Sequence, residues 1–509
     1  MTKAPGACPA CTDAMLEALR ALPRVDDLLA EARVAAAQGD APHNLALCAV
    51  RASLDRERAR IRSGLAPRTR DELITAAAEA VAAEARHNLR CAVNATGVVI
   101  HTNLGRAPLS QRAARHIANV ASHYSTLEFD VATGARGSRH DLVANLLCEL
   151  TGAEAAVVVN NNAAAVMLVL NEFARGQEAL VSRGELVEIG GSFRIPDIME
   201  LSGAVMKEVG TTNKTHLKDY ERALTPETSM VLKVHPSNYR VVGFHEEVDA
   251  AALAQFAHEH GVLMYEDQGS GSLVDLARTG IGAGEHTPIQ SLAAGIDIVS
   301  CSGDKLLGAT QAGIILGKAQ CIERLRNNPL MRAFRPDKLT LAGLEAVLRE
   351  YLDAEKPWAN VPVLRMLSAT QDELHKRACG ILARCLGTLI EQGISVIPDE
   401  ANERLVCGPC VLKVAAGTSY TGGGALPTEE LPTWTLRLAC LEPNIPDAET
   451  WRMKLIKDPA RPVVTRVNAG ELVADVRTLM DDRDEDDLVD ALVLIILYLL
   501  AATGTKENS

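Results

Sequence analysis

Short apolar runs alternate with helix-like segments through residues 93–350 of this sequence. The runs that we interpret as strands are Ala155–Val159, Ala179–Val181, Ala204–Val209, Met230–Val234, Val262–Tyr265 and Ile296–Cys301. Strands that alternate with helices are joined by crossover connections, which place the strands parallel in one sheet. The sequence therefore predicts an α/β fold with a large, mostly parallel sheet, and ligands of such sheets bind at the carboxyl ends of the strands.

We divide the 509 residues into three predicted domains. Residues 1–92 form a helical N-terminal domain, residues 93–350 form the large domain with the sheet, and residues 351–509 form a smaller C-terminal α/β domain with a terminal helix. The formal net charge of the chain is −13. That total argues against nucleic acid as a partner, so the distribution of the charge decides more than its sum.

A basic stretch lies in the N-terminal domain, where six arginines fall between residues 56 and 70 and only Glu57 offsets them. Arg58 and Arg62 share one helix face because they are four residues apart. A local basic patch on an acidic protein is expected where phosphate backbones bind. The alternative is a solvated helix face whose partners come from elsewhere in the chain. The candidate residues for contact with a phosphate backbone are Arg58, Arg62, Arg68 and Arg70.

One lysine follows the predicted strand Ile296–Cys301 after a small turn, Ser302–Gly303. Burial readily lowers the pKa of a lysine, and the neutral amine is a nucleophile for aldehydes. Lys305 is therefore a candidate Schiff-base lysine. The alternative is a surface lysine in a loop at the end of a strand.

Asp267 ends another apolar segment and opens a glycine-rich loop. Pyridoxal phosphate enzymes use a carboxylate on the pyridinium nitrogen to keep the ring an electron sink. An aspartate at the end of a strand, upstream of the lysine, suits that role, although turns and helix caps also favour aspartate.

A run of asparagines follows the predicted strand Ala155–Val159 and precedes a helix-forming segment. A strand, then small polar residues, then a helix directs a helix N-terminus at a phosphate group. Asn161, Asn162 and Ala163 are therefore candidates for the cofactor phosphate site. An ordinary asparagine N-cap is the alternative.

Three stretches resemble the bacterial selenocysteine synthase family, the L-seryl-tRNA(Sec) selenium transferases. They are Asn94–Arg106, residues 183–191 and Ser302–Lys305, and the resemblance extends from about Leu22 to Thr478. It implies a fold type I pyridoxal phosphate-dependent transferase. It also implies conversion of L-seryl-tRNA(Sec) to L-selenocysteinyl-tRNA(Sec) with selenophosphate, through a cofactor-bound aminoacrylyl intermediate.

The resemblance also implies roles for individual residues. Lys305 and Asp267 would be catalytic, and Ser302 would lie at the cofactor. His235 would either stack on the cofactor ring or cap a turn. The candidates for selenophosphate binding are Arg106, Arg332 and Arg335, because arginine holds oxyanions with two parallel hydrogen bonds. Surface salt bridges are the alternative for these arginines. The N-terminal domain would hold the tRNA, and the protein would be a homo-oligomer, a ring built from dimers.

Two other functions stay open at this point. One is a related pyridoxal phosphate-dependent lyase that acts on a small amino or sugar acid. The other is a non-catalytic tRNA-binding homologue.

The sequence also predicts a cytoplasmic protein without membrane contact. Its start lacks the apolar segment of a secretory signal. The long apolar run Ala491–Ala502 falls short of the roughly 20 residues that a membrane span needs. Free thiols are then expected for its 12 cysteines. We interpret the two Cys-x-x-Cys pairs, Cys8–Cys11 and Cys407–Cys410, as structural or incidental.

Overall fold

A computed structural model of the protein describes residues 13–189, 193–236, 238–282, 285–442, 445–457 and 461–503. The chain forms two compact units, Met1–Cys91 and Ala92–Ser509. The three domain limits predicted from the sequence stay predictions, since the two larger predicted domains lie within one of these units.

The first unit is helical in its described part. Its helices are α1 (Asp13–Arg20), α2 (Val25–Leu29), α3 (Ala32–Gln38), α4 (His43–Arg62) and α5 (Arg70–Ala85). Apolar residues of α2 to α5, among them Leu28, Val50, Leu54 and Val81, form its buried core. Helix α5 begins at a capping box, in which the Thr69 N–H donates to the Glu72 carboxylate at 2.7 Å.

A seven-stranded sheet forms the centre of the second unit. In spatial order its strands are β4 (Ala155–Val159), β12 (Gly313–Gly317), β11 (Ile298–Ser302), β10 (Leu263–Gly269), β9 (Thr228–Val234), β5 (Glu178–Ser182) and β8 (Val205–Val209). All pairings are parallel except the two that β12 makes with its neighbours β11 and β4. The prediction of a mostly parallel sheet is confirmed.

Helices pack on this sheet or on the helices next to it. They are α6 (Gln111–Ala121), α7 (Asp141–Thr151), α8 (Asn162–Phe173), α9 (Ile195–Ser202), α10 (Leu217–Ala223), α11 (Ala250–Glu259), α12 (Pro288–Ala293), α13 (Ala319–Asn327), α14 (Met331–Phe334), α15 (Lys338–Leu348), α16 (Lys356–Asn360) and α17 (Pro362–Ser368). Strands β11 and β12 are buried along their whole length. Strands buried on both faces read as continuous apolar runs, which explains why the sequence revealed them.

A second sheet of six strands follows in the chain. Its strands, in spatial order, are β13 (Ile397–Asp399), β14 (Arg404–Cys407), β15 (Cys410–Tyr420), β16 (Glu430–Cys440), β19 (Glu471–Asp475) and β18 (Arg466–Asn468). All its pairings are antiparallel. Three further helices accompany it: α18 (Gln371–Glu391), α19 (Ala448–Lys457) and α20 (Asp482–Ala502).

Three short strand pairs complete the described elements. They join β1 (Val93–Asn94) with β17 (Val463–Val464), β2 (Phe129–Asp130) with β3 (Ala135–Arg136), and β6 (Glu188–Ile189) with β7 (Phe193–Arg194).

The apolar run near the C-terminus belongs to α20. Asp481 caps this helix by accepting the Asp484 N–H at 3.0 Å. Leu488, Leu492 and Ile496 are buried in the core that α20 shares with α18 and the second sheet. Within the described ranges, we find no helix with the length and apolar character needed to cross a bilayer.

Candidate active site

Lys305 lies in the loop that joins β11 to β12, just beyond the carboxyl end of β11. Two backbone hydrogen bonds hold this loop: the Gly303 N–H donates to the Ala312 carbonyl at 2.9 Å, and the Leu306 N–H donates to the Ser270 carbonyl at 3.1 Å. The second bond ties the loop to the segment that follows β10. The main chain around Lys305 is therefore held from two neighbouring strands of the sheet.

The environment of Lys305 favours a neutral amine. The residue is only 5% exposed. Burial is the largest effect and lowers the pKa of the amine; the negative charge of Asp267 opposes this change, and the positive charge of Arg106 adds to it. Arg106 in turn donates from Nη1 to Oδ2 of Asp304 at 2.9 Å. The structure thus brings the predicted lysine together with Asp267 and Arg106.

Asp267 lies in β10 and is buried beside Ser300 of β11. Its Oδ1 accepts hydrogen bonds from Asn162 Nδ2 at 2.7 Å and from Ser300 Oγ at 3.2 Å. Among the described residues, no group donates to the other oxygen, Oδ2. Burial raises the pKa of Asp267, whereas the Asn162 hydrogen bond and the Lys305 charge lower it. Oδ2 is thus the oxygen of this carboxylate that can accept a pyridinium N–H.

The asparagine run forms the N-terminus of α8. The Asn161 side chain is an ordinary N-cap, since its Oδ1 accepts the Ala164 N–H at 2.9 Å. Asn162 and Ala163 open the helix, so their backbone N–H groups have no partner within it. These N–H groups, together with the helix dipole, favour a phosphate. The N-cap and the phosphate site are therefore compatible interpretations.

Two glycines allow the backbone segments of the site to approach closely. A Cβ on Gly313 would lie 2.2 Å from the Asn161 carbonyl oxygen. A Cβ on Gly271, whose φ is +74°, would lie 2.4 Å from the carbonyl oxygen of Ser302. Both contacts are too short for any other residue. Ser302 itself is buried at the end of β11.

Buried polar atoms without partners mark the space around Asp267. Asn162 Oδ1, His235 Nδ1 and Ser270 Oγ have no hydrogen-bond partner within the described part of the chain. The backbone N–H of His235 donates to the backbone carbonyl of Asp267 at 3.0 Å. An unpaired buried polar atom costs about 1–3 kcal/mol, so such atoms indicate a place where a polar ligand binds. Together with Asp267 Oδ2 and the start of α8, these residues fit pyridoxal phosphate. The contacts of His235 leave both of its predicted roles open.

Arg335 and Arg332 approach the site from α14. The Asn160 N–H donates to the Phe334 carbonyl at 2.8 Å, which places the end of α14 against the segment that precedes α8. Arg332 is exposed, and Arg335 Nη1 lies 3.5 Å from Glu128 Oε1. In the described ranges, no hydrogen bond or ion pair joins these two arginines to the Lys305 loop. Their selenophosphate role stays a prediction.

A cavity of about 540 Å³ adjoins His235 at the carboxyl ends of β5 and β9. Glu185, Glu266 and Glu285 contribute to its lining, and Lys233 donates to Glu185 Oε1 at 3.1 Å. Lys305 and Asp267 do not line it. Lys214, Lys233 and Arg240 also line the cavity, so its walls carry charges of both signs.

The arginines predicted to bind tRNA have more acidic partners than the sequence suggested. Besides Glu57, which lies 3.7 Å from Arg68, two other carboxylates pair with them: Arg58 with Asp55 at 2.6 Å, and Arg70 with Glu31 at 2.7 Å. Asp55 and Glu31 lie outside residues 56–70, so the alternative of partners from elsewhere in the chain applies to Arg58 and Arg70. Arg62 is exposed and has no ion-pair partner among the described residues. The role of these four arginines in tRNA binding stays a prediction.

Of the two Cys-x-x-Cys pairs, Cys8–Cys11 lies outside the described residues. Cys407 and Cys410 face each other across the turn between β14 and β15, and both are buried. Burial raises the pKa of the Cys407 thiol to about 11, so the thiolate is disfavoured.

Sequence reasoning missed the hydrogen bonds that Ser300 and Asn162 donate to Asp267 and the one that Asp304 accepts from Arg106. A serine within an apolar strand was a visible signal for Ser300. No pattern in the sequence could join Asn162 to Asp267, because that contact depends on how α8 packs against the sheet.

Comparisons with known proteins give one consistent family. Residues 92–480 match the family described as L-seryl-tRNA selenium transferase, and residues 19–58 match the one described as selenocysteine synthase N terminal. An L-seryl-tRNA(Sec) selenium transferase of Geobacter sulfurreducens is 46% identical over 92% of this chain and 98% of its own. One of Solidesulfovibrio magneticus is 47% identical over 92% of this chain and 96% of its own.

Among solved structures, a D-glucosaminate-6-phosphate ammonia-lyase matches with a TM-score of 0.53 and 18% identity, over 81% of this chain and 96% of that one. At this identity the likeness concerns the fold alone. The predicted fold type I architecture is confirmed.

Proposed function

Because the chain belongs to the L-seryl-tRNA selenium transferase family, we propose that it converts L-seryl-tRNA(Sec) to L-selenocysteinyl-tRNA(Sec), with selenophosphate as the selenium donor. The observation that carries the proposal is the buried amine of Lys305 beside the buried carboxylate of Asp267, at the carboxyl edge of the large sheet. The enzyme works in the cytoplasm as a homo-oligomer, a ring built from dimers.

Pyridoxal phosphate, when bound, supplies an electron sink for negative charge at the Cα of the seryl group. Lys305 would hold the cofactor at its aldehyde carbon, and its buried amine would serve as the base. Its Nζ accepts the α-proton, which requires the neutral amine that burial favours. The same Nζ, now protonated, can return its proton to the departing β-hydroxyl.

Asp267 keeps the pyridine nitrogen protonated through Oδ2, while Asn162 and Ser300 hold Oδ1. The first N–H groups of α8, those of Asn162 and Ala163, bind the cofactor phosphate. Ser302, whose main-chain carbonyl lies close to Gly271, would lie at the cofactor. His235, whose backbone N–H donates to the Asp267 carbonyl, would lie next to the cofactor ring.

The selenium donor is an anion, and Arg106 is the arginine best placed for it because Asp304 holds its side chain next to Lys305. Arg332 and Arg335 bind the same donor from the side of α14. The tRNA binds separately, along the arginines of α4 and of the start of α5: Arg58, Arg62, Arg68 and Arg70.

The proposal is tested by incubating the purified protein with seryl-tRNA(Sec) and selenophosphate, and then analysing the amino acid released from the tRNA. We expect selenocysteine with the unchanged protein and serine alone with Lys305→Ala. Recovery of serine alone from both reactions contradicts the proposal. Turnover of a free amino or sugar acid in its place favours a lyase, and tight tRNA binding without any turnover favours a non-catalytic homologue.

A further inference from the structure

A cluster of three metal-ligating side chains lies outside the candidate active site. His375 and Cys379 are four residues apart on α18, so they share one face of that helix. Glu403 joins them from the connection between β13 and β14. All three side chains are partly buried, and their ligand atoms all lie within 4.8 Å of one another.

The distances within the cluster resemble the edges of a metal coordination tetrahedron. Cys379 Sγ lies 3.6 Å from His375 Nε2 and 3.6 Å from Glu403 Oε1. Bond lengths to zinc of about 2.3 Å for sulfur and about 2.0–2.2 Å for nitrogen and oxygen give sulfur edges of about 3.6 Å in a regular tetrahedron. His375 Nε2 lies 2.9 Å from the other carboxylate oxygen of Glu403, Oε2, so the carboxylate must turn to present a single oxygen to a metal shared with both His375 and Cys379.

The ligands are held in this arrangement by the surrounding fold. The His375 ring packs on the Trp434 ring, with 4.2 Å between the centroids. The Glu403 carbonyl accepts the Val414 N–H at 3.0 Å, which fixes its main chain against β15. Glu403 also has a φ of +46°, a left-handed conformation that turns its side chain toward α18.

We propose that His375, Cys379 and Glu403 bind one Zn²⁺ ion, or another transition metal that prefers mixed nitrogen, sulfur and oxygen ligands. The site has three protein ligands and a fourth position for water, and it links α18 to the β13–β14 connection. His375 binds as the neutral ring through Nε2, and Glu403 binds as the carboxylate. Cys379 binds as the thiolate, so one proton leaves its sulfur for solvent as the metal–sulfur bond forms.

Cobalt is the probe that tests this site, because thiolate-bound Co²⁺ has a sulfur-to-metal charge-transfer absorption. Co²⁺ is added to the full-length, cofactor-loaded protein that carries Cys8→Ser and Cys11→Ser, which removes the Cys-x-x-Cys pair near the N-terminus as a competing source of thiolates. The spectrum is recorded as the difference from the same protein without Co²⁺. Zn²⁺ is then added to displace it.

We expect the charge-transfer band at one Co²⁺ per chain, and its loss when Zn²⁺ is added. Cys379→Ser abolishes the band, and Glu403→Gln weakens Co²⁺ binding at least about tenfold. Cys91→Ser, at an exposed cysteine, leaves the band unchanged. The cofactor absorbance in each sample reports whether the variant is folded.

Two results overturn the proposal: a folded protein that gives no thiolate band with Co²⁺, or a band that persists in Cys379→Ser. If Cys379→Ser does not fold, Glu403→Gln decides alone, since an unchanged cobalt affinity in that variant contradicts the site. Neither result bears on the proposed transferase activity, because none of these three residues belongs to its site.

Discussion

At the candidate active site, a few atoms determine the charge of each reacting group. Burial pushes both Lys305 and Asp267 toward their neutral forms, because taking a charge out of water is costly. Each is drawn back by the other, and Asn162 further favours the ionised aspartate. The balance leaves an amine that can lose its proton and a carboxylate that can keep its charge, which is the pair that the proposed reaction needs.

The Asp267 carboxylate should contribute to the rate rather than to cofactor binding. We expect Asp267→Asn to lower the rate at least about 100-fold, the usual loss for one electrostatic group at a reacting centre. Asn162→Ala should lower it about tenfold, since the carboxylate loses one hydrogen bond. Asn160→Ala, at the exposed neighbouring asparagine, is the matched control. An Asp267→Asn enzyme of normal rate would refute the role.

The charges beside Lys305 should shift its pKa in opposite directions. Exchange of the seryl α-proton with solvent needs the neutral amine, so its rate rises with pH through the lowered pKa of Lys305. Arg106→Ala removes a positive charge, raises that pKa and moves the rise to higher pH. Asp304→Asn removes a negative charge, lowers that pKa and moves the rise in rate to lower pH. We expect the shift in each variant to be about one pH unit.

This exchange is measured on seryl-tRNA in heavy water without selenophosphate, which separates the pKa of Lys305 from any role of Arg106 in binding the donor. Shifts of both variants in the same direction would contradict the electrostatic account.

At the scale of elements, the start of α8 is positioned by its contact with β12. Gly313→Ala would place a methyl group against the Asn161 carbonyl oxygen, 2.2 Å away, so the helix must move. We expect cofactor affinity to fall at least about tenfold, as a steric shift of this kind costs about 1–3 kcal/mol. Gly380→Ala, at an exposed position of α18 with open space around it, should leave affinity unchanged. Equal affinities of both variants, measured by absorbance titration, would be inconsistent with a phosphate site at α8.

Among the arginines of α4 and α5, the exposed Arg62 should contribute most cleanly to tRNA binding. Arg62→Ala should weaken tRNA binding about fivefold at physiological salt. It should also reduce the slope of log affinity against log salt concentration by about one. Thermal stability should not change, because the side chain has no ion-pair partner within the described chain. Arg51→Ala, exposed on the same helix before the basic stretch, is the control. Equal losses in both variants would indicate general electrostatic attraction rather than a defined patch.

At the scale of the whole molecule, the large sheet could be predicted because most of its strands are largely buried and read as apolar runs, although the edge strand β8 is partly exposed. Lys305 and Asp267 could be found because each directly follows or ends such a run. Asp55, three residues before Arg58 on one helix, could have been found from the sequence, whereas Glu31 reaches Arg70 only through the packing of the fold. The spacing of His375 and Cys379 is visible in the sequence, whereas Glu403 joins them only through the fold.

The central claim, that Lys305 carries pyridoxal phosphate, is tested most directly by borohydride reduction of the cofactor-loaded protein followed by peptide mapping. The account predicts a reduced pyridoxyl group on Lys305 in the unchanged protein and no label on that peptide in Lys305→Ala. A label on another lysine, or a protein that takes up no label when supplied with the aldehyde, would contradict it.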